Sequence, residues 1–292
     1  MKLSRQDRVG MALFMTPGML LFLGFFVLPV FYVLAVSALE WNGMTSPVFV
    51  GLNNYLRIWR DVVFRRSVGN NIIWALVACC VQVPLAILMA LILNSKPRGW
   101  QAFRTIYFFP QVISGVALAM LWSAVYNSEY GLLNGILHAL GRGDLARNWL
   151  GNLQTALPAL LIYWVFYVGY YMVIIMSDLS GITQDYYEAA QIDGAGSIQQ
   201  AWYISLPLAR NSIMTCVTLA AVLSLRQFEQ VFLLTNGGPA NRTSTMVLYL
   251  YKQIQNMRYG QANAASVMLI CLGVVVILGI RQLFAMRSSA YE

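Results

Sequence analysis

Six stretches of the sequence are apolar for about 20 positions or more, the length that an α-helix needs to cross the hydrocarbon core of a membrane. They cover residues 11–39, 72–93, 106–126, 156–176, 213–234 and 262–284. In lipid, only helices and closed barrels satisfy every backbone hydrogen-bonding group, and stretches of this length indicate helices. We therefore expect an all-α membrane protein with six transmembrane helices. Asn70 and Asn71 directly precede the second stretch and are expected to cap its helix.

The composition supports a membrane protein and leaves little material for catalysis or metal binding. Hydrophobic residues make up 59% of the chain and charged residues 10%, whereas soluble domains carry about 25% charged residues. The single histidine, His138, falls in a connecting loop, and the four cysteines lie in apolar runs without metal-ligand spacing. The net charge of +8 is scattered along loops, which indicates charges flanking a membrane and not a nucleic-acid surface. We expect no enzyme activity, no metal site and no nucleic-acid partner.

The basic residues also bear on orientation. Lys and Arg residues are equally numerous on the two predicted sides of the membrane. The positive-inside rule gives most weight to short loops and to the first helix. Lys2, Arg5 and Arg8, together with the short basic hairpin at residues 96–104, favour a cytoplasmic N-terminus. Six helices then place both termini in the cytoplasm.

A polar loop separates the fourth and fifth apolar stretches and contains the sequence EAAQIDGAGSIQQAWYISLPLAR at residues 188–210. Asp185 is predicted to cap a short helix, with Glu188 completing a capping box. Gly194 and Gly196 are predicted to end that helix. A second short helix is predicted at residues 197–204.

The proline near the end of this loop and its alanine pair bear on whether the loop contacts another protein. Pro207 suits the first turn of the next long helix. Ala189 and Ala190 leave a slim surface that another protein can approach closely. The local sequence fits a docking surface, and it fits equally a well-capped surface helix without a partner.

The fifth apolar stretch contains a dense polar cluster, and such residues within a membrane span are candidates for a functional site. The cluster consists of Ser224, Arg226, Gln227, Glu229 and Gln230. Arg226 and Glu229 are three positions apart, so on one helix they would share a face and could form an ion pair. The cluster predicts a solute path, with a structural polar seam between helices as the alternative.

The fourth stretch carries an aromatic face. Tyr163, Tyr167 and Tyr170 are spaced by four and three positions, which places them on one side of a helix. Aromatic rings stack on sugar rings, and phenol hydroxyls supply hydrogen bonds. An interfacial aromatic belt is the alternative, but the run lies in the middle of the span, which favours the solute path.

The polar loop resembles the signature loop of permease subunits of bacterial ABC importers. The resemblance is carried by EAA, DGA and ISLP, that is by Glu188, Ala189, Ala190, Asp193, Gly194, Ala195, Ile204, Leu206 and Pro207. It implies the type I ABC importer permease fold, with a cytoplasmic coupling helix that docks into a groove of an ATPase subunit. Ala201 and Asn211 depart from the family pattern, which more often has a bulky aromatic residue and a second proline at these positions.

Further motifs are similar to those of carbohydrate-type permeases, namely VGLNNY, FRTIYFFPQVISG, YGLLN and TNGGPANRTST. Together they resemble the first permease of maltose and glycerol-phosphate importers over residues 16–284. The resemblance implies that Leu223, Ser224 and Gln227 contact solute. It also implies a division into an N-terminal helix with an outer loop at 1–68, a core at 69–285 with the signature loop at about 180–210, and a short cytoplasmic tail at 286–292.

The resemblance implies a set of partners. These are a second, similar permease, two ATPases that bind ATP and magnesium, an extracytoplasmic solute-binding protein and membrane lipid. The sequence has no G-x-x-x-x-G-K-[ST] phosphate loop, so this chain is expected to bind no cofactor itself. The implied location is the bacterial inner membrane, and the implied solute is a sugar, a polyol or a sugar phosphate.

Two other classes of protein fit less well. A secondary transporter driven by an ion gradient needs a buried carboxylate relay and inverted repeats, whereas the sequence offers only Glu229 inside a span. An intramembrane protease needs a nucleophile and a base within the bilayer, and His138 lies in a loop.

Overall fold

The computed structural model describes the backbone of residues 5–288 and the side chains of residues 10, 11 and 13–284. Lys2 and the side chains of Arg5 and Arg8, which support the expected orientation, lie outside the described residues. Positions 289–292 of the expected C-terminal tail do so too.

Helices account for nearly all the regular structure. Four segments are long and apolar enough to cross a membrane, namely Leu13–Ser37, Val62–Asn94, Ala156–Leu179 and Tyr259–Phe284. Two helix pairs also qualify if each pair is one span: Trp100–Gln111 with Gly115–Val125, bent by 100°, and Ser197–Leu208 with Arg210–Leu225, bent by 73°. The described chain thus has four candidate spans, or six with the bent pairs, and we number these first to sixth in chain order. The name fifth span is used below for the helix Arg210–Leu225 alone.

The described residues form two compact units, residues 5–61 with 249–270 and residues 62–248 with 271–288. In the larger unit, the α-helices are Val62–Val77, Val83–Asn94, Trp100–Phe108, Gly115–Val125, Leu132–Ala139, Ala156–Val165, Gly169–Leu179, Gln184–Ile192, Ser197–Gln200, Leu206–Leu208, Arg210–Leu225 and Glu229–Leu234. Short 3₁₀ helices are Phe109–Gln111 and Gly143–Leu145, and π-helical segments are Ala78–Gln82 and Ala201–Ser205. Two helices have residues in both units, Met246–Gln255 and Tyr259–Ser288.

The second span forms the centre of the larger unit. Its helix Val83–Asn94, in which Ala86 and Ala90 are fully buried, packs along Gly169–Leu179 of the fourth span. Its helix Val62–Val77 packs along Arg210–Leu225 of the fifth span. Small residues at such contacts let helix backbones approach closely, which is how helices associate in lipid without a hydrophobic driving force.

The second span also begins earlier than the sequence predicts. Its first helix starts at Val62, so Asn70 and Asn71 lie inside the helix and do not cap it. Both side chains are buried. The prediction was wrong because it assigned the helix start from the apolar run alone, whereas the preceding, more polar residues are helical as well.

The third span is not the single helix predicted for residues 106–126. It consists of Trp100–Phe108, the 3₁₀ turn Phe109–Gln111 and Gly115–Val125. Pro110 has no N–H to continue the α-helical pattern, and Ser114 adopts an extended conformation (φ −55°, ψ 135°) before the second helix begins.

The smaller unit begins with helices Arg5–Phe22 and Leu28–Ser37, joined by the π-helical segment Leu23–Val27. A two-stranded hairpin (Leu39–Glu40 and Val48–Phe49) and the short helix Asn53–Arg60 follow. Most side chains of the first span are exposed, as expected for a surface that faces lipid.

Polar contacts join the end of the first span to this short helix. The Asn54 amide donates to the carbonyls of Ser37 (2.9 Å) and Leu39 (2.8 Å). The Ser37 and Tyr55 hydroxyls lie 2.6 Å apart. The Arg57 guanidinium is 2.7 Å from the Glu40 carboxylate, and its hydrogen bond holds the pKa of Glu40 below the usual value.

Candidate functional site

The signature loop, which we define as residues 180–209, contains two helical segments joined at a glycine. The first, Gln184–Ile192, ends with Gly194 in the left-handed region (φ +80°). The Gly194 N–H donates to the Gln191 carbonyl (3.0 Å) and the Ala195 N–H to the Ala190 carbonyl (2.8 Å). These two bonds form a Schellman motif, so the predicted stop at Gly194 is confirmed.

The start of this segment differs from the prediction. Thr183 occupies the N-cap position without a side-chain cap, and Asp185 lies in the first turn. The prediction of a capping box formed by Asp185 and Glu188 is therefore wrong. Asp185 instead places negative charge at the positive end of the helix dipole, and Glu188 is exposed on the helix surface.

The second segment is also longer than predicted. It runs from Ser197 through the π-helical segment Ala201–Ser205 to Leu208. Pro207 therefore lies in its last turn, not in the first turn of the long helix, which begins at Arg210. The wider π turn gives the proline ring room where a regular helix would place a clashing carbonyl.

Polar contacts hold the two segments of the signature loop together. The Tyr187 and Ser205 hydroxyls lie 3.0 Å apart, and the Gln200 amide donates to the Ala195 carbonyl (3.0 Å). Ala190 and Ala195 are half-buried in this arrangement. The loop is thus an ordered element rather than a flexible connection.

The outer surface of the signature loop exposes large apolar side chains. Ile192 is 87% exposed and Tyr203 81% exposed. The other exposed large side chains of the loop are Tyr186, Ile198, Trp202 and Leu208. Exposed apolar surface of this extent marks an interaction site with protein or membrane. Ala189, Asp193, Gly194 and Pro207, singled out from the sequence, are exposed here too, whereas Leu206 is half-buried.

A cavity of about 320 Å³ lies between the second, third, fourth and fifth spans. Three predicted path residues line it: Tyr167, Tyr170 and Leu223. Its polar lining comes from the tyrosines and from three amide side chains, Gln82, Gln111 and Gln230. None of the described residues that line the cavity carries a charge.

Aromatic rings form one wall of the cavity. The rings of Tyr163 and Tyr167 meet edge to face with centroids 5.2 Å apart, and Trp122 packs against Tyr163 at 5.2 Å. Tyr163 is buried, while Tyr170 remains 40% exposed. Such edge-to-face contacts fix the ring planes, so the wall presents defined aromatic faces and hydroxyl groups.

Ser224 and Gln227 lie outside the cavity lining. Ser224 is fully buried, and its hydroxyl donates to the Ala221 carbonyl (2.6 Å). Gln227 is buried, and its backbone carbonyl accepts a hydrogen bond from the Thr245 hydroxyl (2.7 Å). In this structure both residues support the end of the fifth span instead of facing open space.

The predicted Arg226–Glu229 ion pair is not formed. The helix Arg210–Leu225 ends before Arg226, and Glu229 begins a separate helix, Glu229–Leu234. The two side chains therefore do not share a helical face, and within the described part of the chain neither takes part in an ion pair. The Glu229 carboxylate lies beside Gly115, the first residue of the helix Gly115–Val125. The dipole of that helix favours a negative charge there.

The sequence analysis assigned one of the two amides that hold this region together, Asn71, to a helix cap and gave the other, Gln82, no role. Asn71 binds the Leu225 carbonyl, and Gln82 binds the carbonyls of Trp164 and Tyr167. For Gln82 the available signal was an isolated amide within an apolar run, since a polar side chain in a membrane span usually has a partner. The identity of those partners was not available from the sequence.

The fold and these two regions define a class of protein: a helical membrane-spanning subunit with a cavity between its spans and a separate, ordered loop that exposes apolar side chains. Residues 82–286 match the family described as "Binding-protein-dependent transport system inner membrane component". The chain belongs to this family. The resemblance drawn from its motifs is thereby confirmed.

Individual relatives agree over most of the chain. The probable ABC transporter permease protein YurN of Bacillus subtilis is 33% identical over 277 residues, 92% of this chain and 94% of the relative. The multiple sugar-binding transport system permease protein MsmF of Streptococcus mutans is 36% identical, over 88% of this chain and 89% of the relative. The trehalose/maltose transport system permease protein MalF of Thermococcus litoralis is 32% identical, over 83% and 84%.

Solved structures show the same fold. A bacterial ABC transporter involved in the import of the acidic polysaccharide alginate contains a chain that superposes with a TM-score of 0.80, at 22% identity and covering 97% of this chain and 96% of that chain. The alginate transporter in complex with an alginate pentasaccharide-bound periplasmic protein gives 0.82, at 22% identity and covering 94% and 93%. The chain therefore has the fold of an ABC importer permease. It is a transport subunit and not an enzyme, and the family assignment excludes the ion-driven secondary transporter.

Proposed function

We propose that this chain forms half of the translocation path for a neutral sugar or polyol. The observation that carries the proposal is the cavity lining. It contains tyrosine rings and three amide side chains, and none of the described lining residues is charged. Aromatic faces and neutral hydrogen-bonding groups suit hydroxyl-rich rings. The volume of 320 Å³ lies within the range of small-ligand pockets, roughly 300–1,000 Å³.

The names of the relatives support the same class of solute. They include permeases for multiple sugars, diacetylchitobiose, trehalose/maltose and lactose. A sugar phosphate fits the cavity less well, because a phosphate needs a cationic partner to offset its desolvation. Arg226 is exposed and is not among the lining residues.

The path residues are proposed to have different roles. Tyr167, Tyr170 and Leu223, with Gln111 and Gln230, contact solute directly. Ser224 and Gln227 keep the end of the fifth span in place beside them, and Arg226 and Glu229 have a structural role.

The signature loop is proposed to dock onto an ATPase subunit in the cytoplasm. Its support is the ordered pair of helical segments and their exposed apolar side chains. The docking residues are Glu188, Ala189, Ala190, Asp193, Gly194, Ala195, Leu206 and Pro207. The ATPase binds ATP and magnesium, and closure of two such subunits moves the loop and the spans attached to it.

The remaining partners follow from the same proposal. A second permease completes the path, and an extracytoplasmic solute-binding protein delivers the solute. With the signature loop inside, both termini lie in the cytoplasm.

The proposed solute is tested on the importer assembled with its own partner subunits in proteoliposomes. Neutral disaccharides, polyols, sugar phosphates and amino acids are supplied with the solute-binding protein, and uptake is measured with and without ATP. We expect ATP-dependent uptake of a neutral sugar or polyol. Replacing Tyr170 with alanine should lower that uptake, whereas replacing the exposed Tyr130, outside the cavity, should not. Uptake of only phosphorylated solutes or amino acids would contradict the proposal.

A further inference from the structure

Two spans that line the cavity have a helix break within them or directly after them. The fourth span breaks between Ala156–Val165 and Gly169–Leu179. The fifth span ends at Leu225, and a break at residues 226–228 separates it from the short helix Glu229–Leu234. Each break releases backbone carbonyls from helical hydrogen bonds. Inside a membrane such carbonyls need partners from the protein itself, because lipid offers none.

Gln82 supplies side-chain partners at the break in the fourth span, where the Trp164 carbonyl also accepts the Tyr167 N–H (3.0 Å). Its amide nitrogen donates to the Trp164 carbonyl (3.0 Å) and to the Tyr167 carbonyl (3.2 Å). The side chain is 1% exposed. Its Oε1 atom has no hydrogen-bond partner among the described residues, so the amide is held through its NH₂ group alone. A second amide, Gln111, also donates to the Tyr167 carbonyl (3.2 Å).

Asn71 has the same role at the break after the fifth span. Its amide nitrogen donates to the Leu225 carbonyl (2.9 Å), the last residue of the helix. Its Oδ1 accepts the Met246 N–H (2.8 Å), at the start of the helix Met246–Gln255. The side chain is fully buried.

Both amides belong to the second span, 11 positions apart, or about 16 Å along a helix. The chain segments that they bind carry cavity residues: Tyr163, Trp164 and Tyr167 at one break and Leu223 at the other. The second span itself contributes only Gln82 to the described lining. Its amides therefore act on the cavity mainly by fixing the neighbouring walls.

We propose that Asn71 and Gln82 are positioning residues for solute recognition, which set the distance between the aromatic wall of the fourth span and the polar end of the fifth. This inference rests on the proposed function of the cavity. A side chain of similar shape without hydrogen-bond donors removes the Asn71 bond to the Leu225 carbonyl. At the other break it leaves the Trp164 carbonyl with the Tyr167 N–H, and the Tyr167 carbonyl with Gln111, as the remaining partners among the described residues. Each break would then shift or loosen.

The test uses Gln82→Met and Asn71→Leu, which remove the donors at similar volume. Asn71→Asp keeps the acceptor for the Met246 N–H but places a carboxylate oxygen beside the Leu225 carbonyl. Gln253→Met is the matched control, because Gln253 is also a buried amide and lies outside the cavity lining. All variants are prepared in the assembled importer.

The first measurement is hydrogen exchange, which requires no solute. We expect exchange in peptides covering residues 166–172 to become at least about threefold faster in Gln82→Met, and in peptides covering 223–230 to do so in the Asn71 variants. Each variant should leave the other break unchanged. Exchange that is unaltered at both breaks, or that rises equally everywhere as in a globally destabilised protein, would overturn the proposal.

The second measurement is ATP-dependent uptake as a function of solute concentration. We expect the half-saturating concentration to rise about tenfold in Gln82→Met and Asn71→Leu, with the maximal rate reduced much less. Gln253→Met should change neither value. A lower maximal rate with an unchanged half-saturating concentration would indicate a general structural role and overturn the proposal.

The two measurements separate this inference from the proposed function. Faster exchange at the breaks with unaltered uptake of every solute would show that the amides hold the breaks but that the cavity does not recognise solute. Altered uptake with unaltered exchange would leave the cavity intact as the recognition site and remove the positioning role.

Discussion

At the scale of single residues, the packing around the cavity depends on glycines that leave no room for a methyl group. Gly169 begins the second half of the fourth span and is buried. A Cβ atom there would overlap the Tyr107 carbonyl and lie 2.8 Å from the Phe108 Cα atom. The overlapping atoms belong to the backbone, which cannot change rotamer as a side chain can. The third and fourth spans can therefore approach this closely only with glycine at this position.

Gly169→Ala should lower the stability of the folded chain by about 1–3 kcal/mol, the usual effect of overpacking a filled interior. The measurement is the midpoint of thermal unfolding in detergent. Gly135→Ala is the control, because nothing lies within 4 Å of a Cβ atom there and alanine favours a helix over glycine by about 0.5–1 kcal/mol. Equal effects of the two substitutions would contradict the close approach at Gly169.

Arg226 and Glu229 offer a second test at this scale. Because the structure separates them onto different elements, the coupling between Arg226→Gln and Glu229→Gln should be below about 0.5 kcal/mol in a double-mutant cycle of unfolding free energies. Glu229→Gln alone should lower stability by about 0.3–1 kcal/mol, as its charge at the start of Gly115–Val125 is lost. A coupling well above this limit would show that the ion pair forms after all.

At the scale of secondary structure, three π-helical segments share one feature. Leu23–Val27, Ala78–Gln82 and Ala201–Ser205 each end two positions before a proline, namely Pro29, Pro84 and Pro207. In a regular α-helix the proline ring clashes with the carbonyl four positions earlier. The π turn holds an extra residue and widens the helix there. These helices therefore continue past their prolines instead of ending at them.

This explanation predicts that one residue can be removed from a π-helical segment at little cost to the helix faces around it. Deleting Cys80 should convert Ala78–Gln82 towards regular helix and leave the buried faces on both sides aligned. Deleting Leu88 should rotate the following residues by about 100° and turn Ala90 and Leu93 out of the core. Both deleted residues are exposed, which makes them a matched pair. Monodisperse yield after membrane extraction is the measurement, and comparable losses for both deletions would contradict the explanation.

The signature loop gives the next prediction. Gly194→Ala places a side chain in the left-handed region, at a cost of roughly 1–2 kcal/mol, and Glu188→Lys reverses a charge on the exposed docking surface. Both variants should insert and assemble but lose most solute-stimulated ATP hydrolysis and uptake. Gln184→Ala, on the same helix and outside the proposed docking residues, is the control. Normal coupling in both variants would contradict docking through this loop.

The sequence indicates some of these elements and not others for physical reasons. The apolar stretches and the stop at Gly194 depend on local requirements, the thickness of the membrane and a backbone angle that favours glycine. The break at residues 166–168 leaves no such signal, because a broken helix and a continuous one need the same apolar residues. At residues 226–228 the polar Arg226 and Gln227 were a signal, but they were interpreted as part of a solute path on a continuous helix. What stabilises the breaks is distant in the chain: Gln82 and Asn71 lie more than 80 and 150 positions away from the carbonyls that they bind.

Of the predicted path residues, Tyr167, Tyr170 and Leu223 lie in the cavity lining, whereas Ser224 and Gln227 do not. The tyrosine spacing follows from helical geometry, and the structure keeps that face on the cavity. The resemblance implied that Leu223, Ser224 and Gln227 contact solute. Leu223 lies in the cavity lining, whereas the Ser224 hydroxyl donates to the Ala221 carbonyl and Gln227 lies beyond the end of the helix at Leu225.

At the scale of the whole molecule, orientation remains a prediction that can be measured directly. With both termini and the signature loop inside, alkaline phosphatase fused after Gly194 should be inactive. The same enzyme fused after Gly141, in the segment before the fourth span, should be active. A fluorescent protein that folds only in the cytoplasm should give the opposite pattern. Reversed activities would place the signature loop outside and rule out contact with a cytoplasmic ATPase.

The uncharged lining of the cavity has a consequence for energetics. A moving charge exchanges about 2.3 kcal/mol with the membrane for every 100 mV of electrical potential. A neutral solute in a cavity whose described lining carries no charge exchanges no electrical energy with the membrane. Accumulation of the solute should then be electrically silent and independent of the membrane potential. Its limit should be set by the free energy of nucleotide hydrolysis alone.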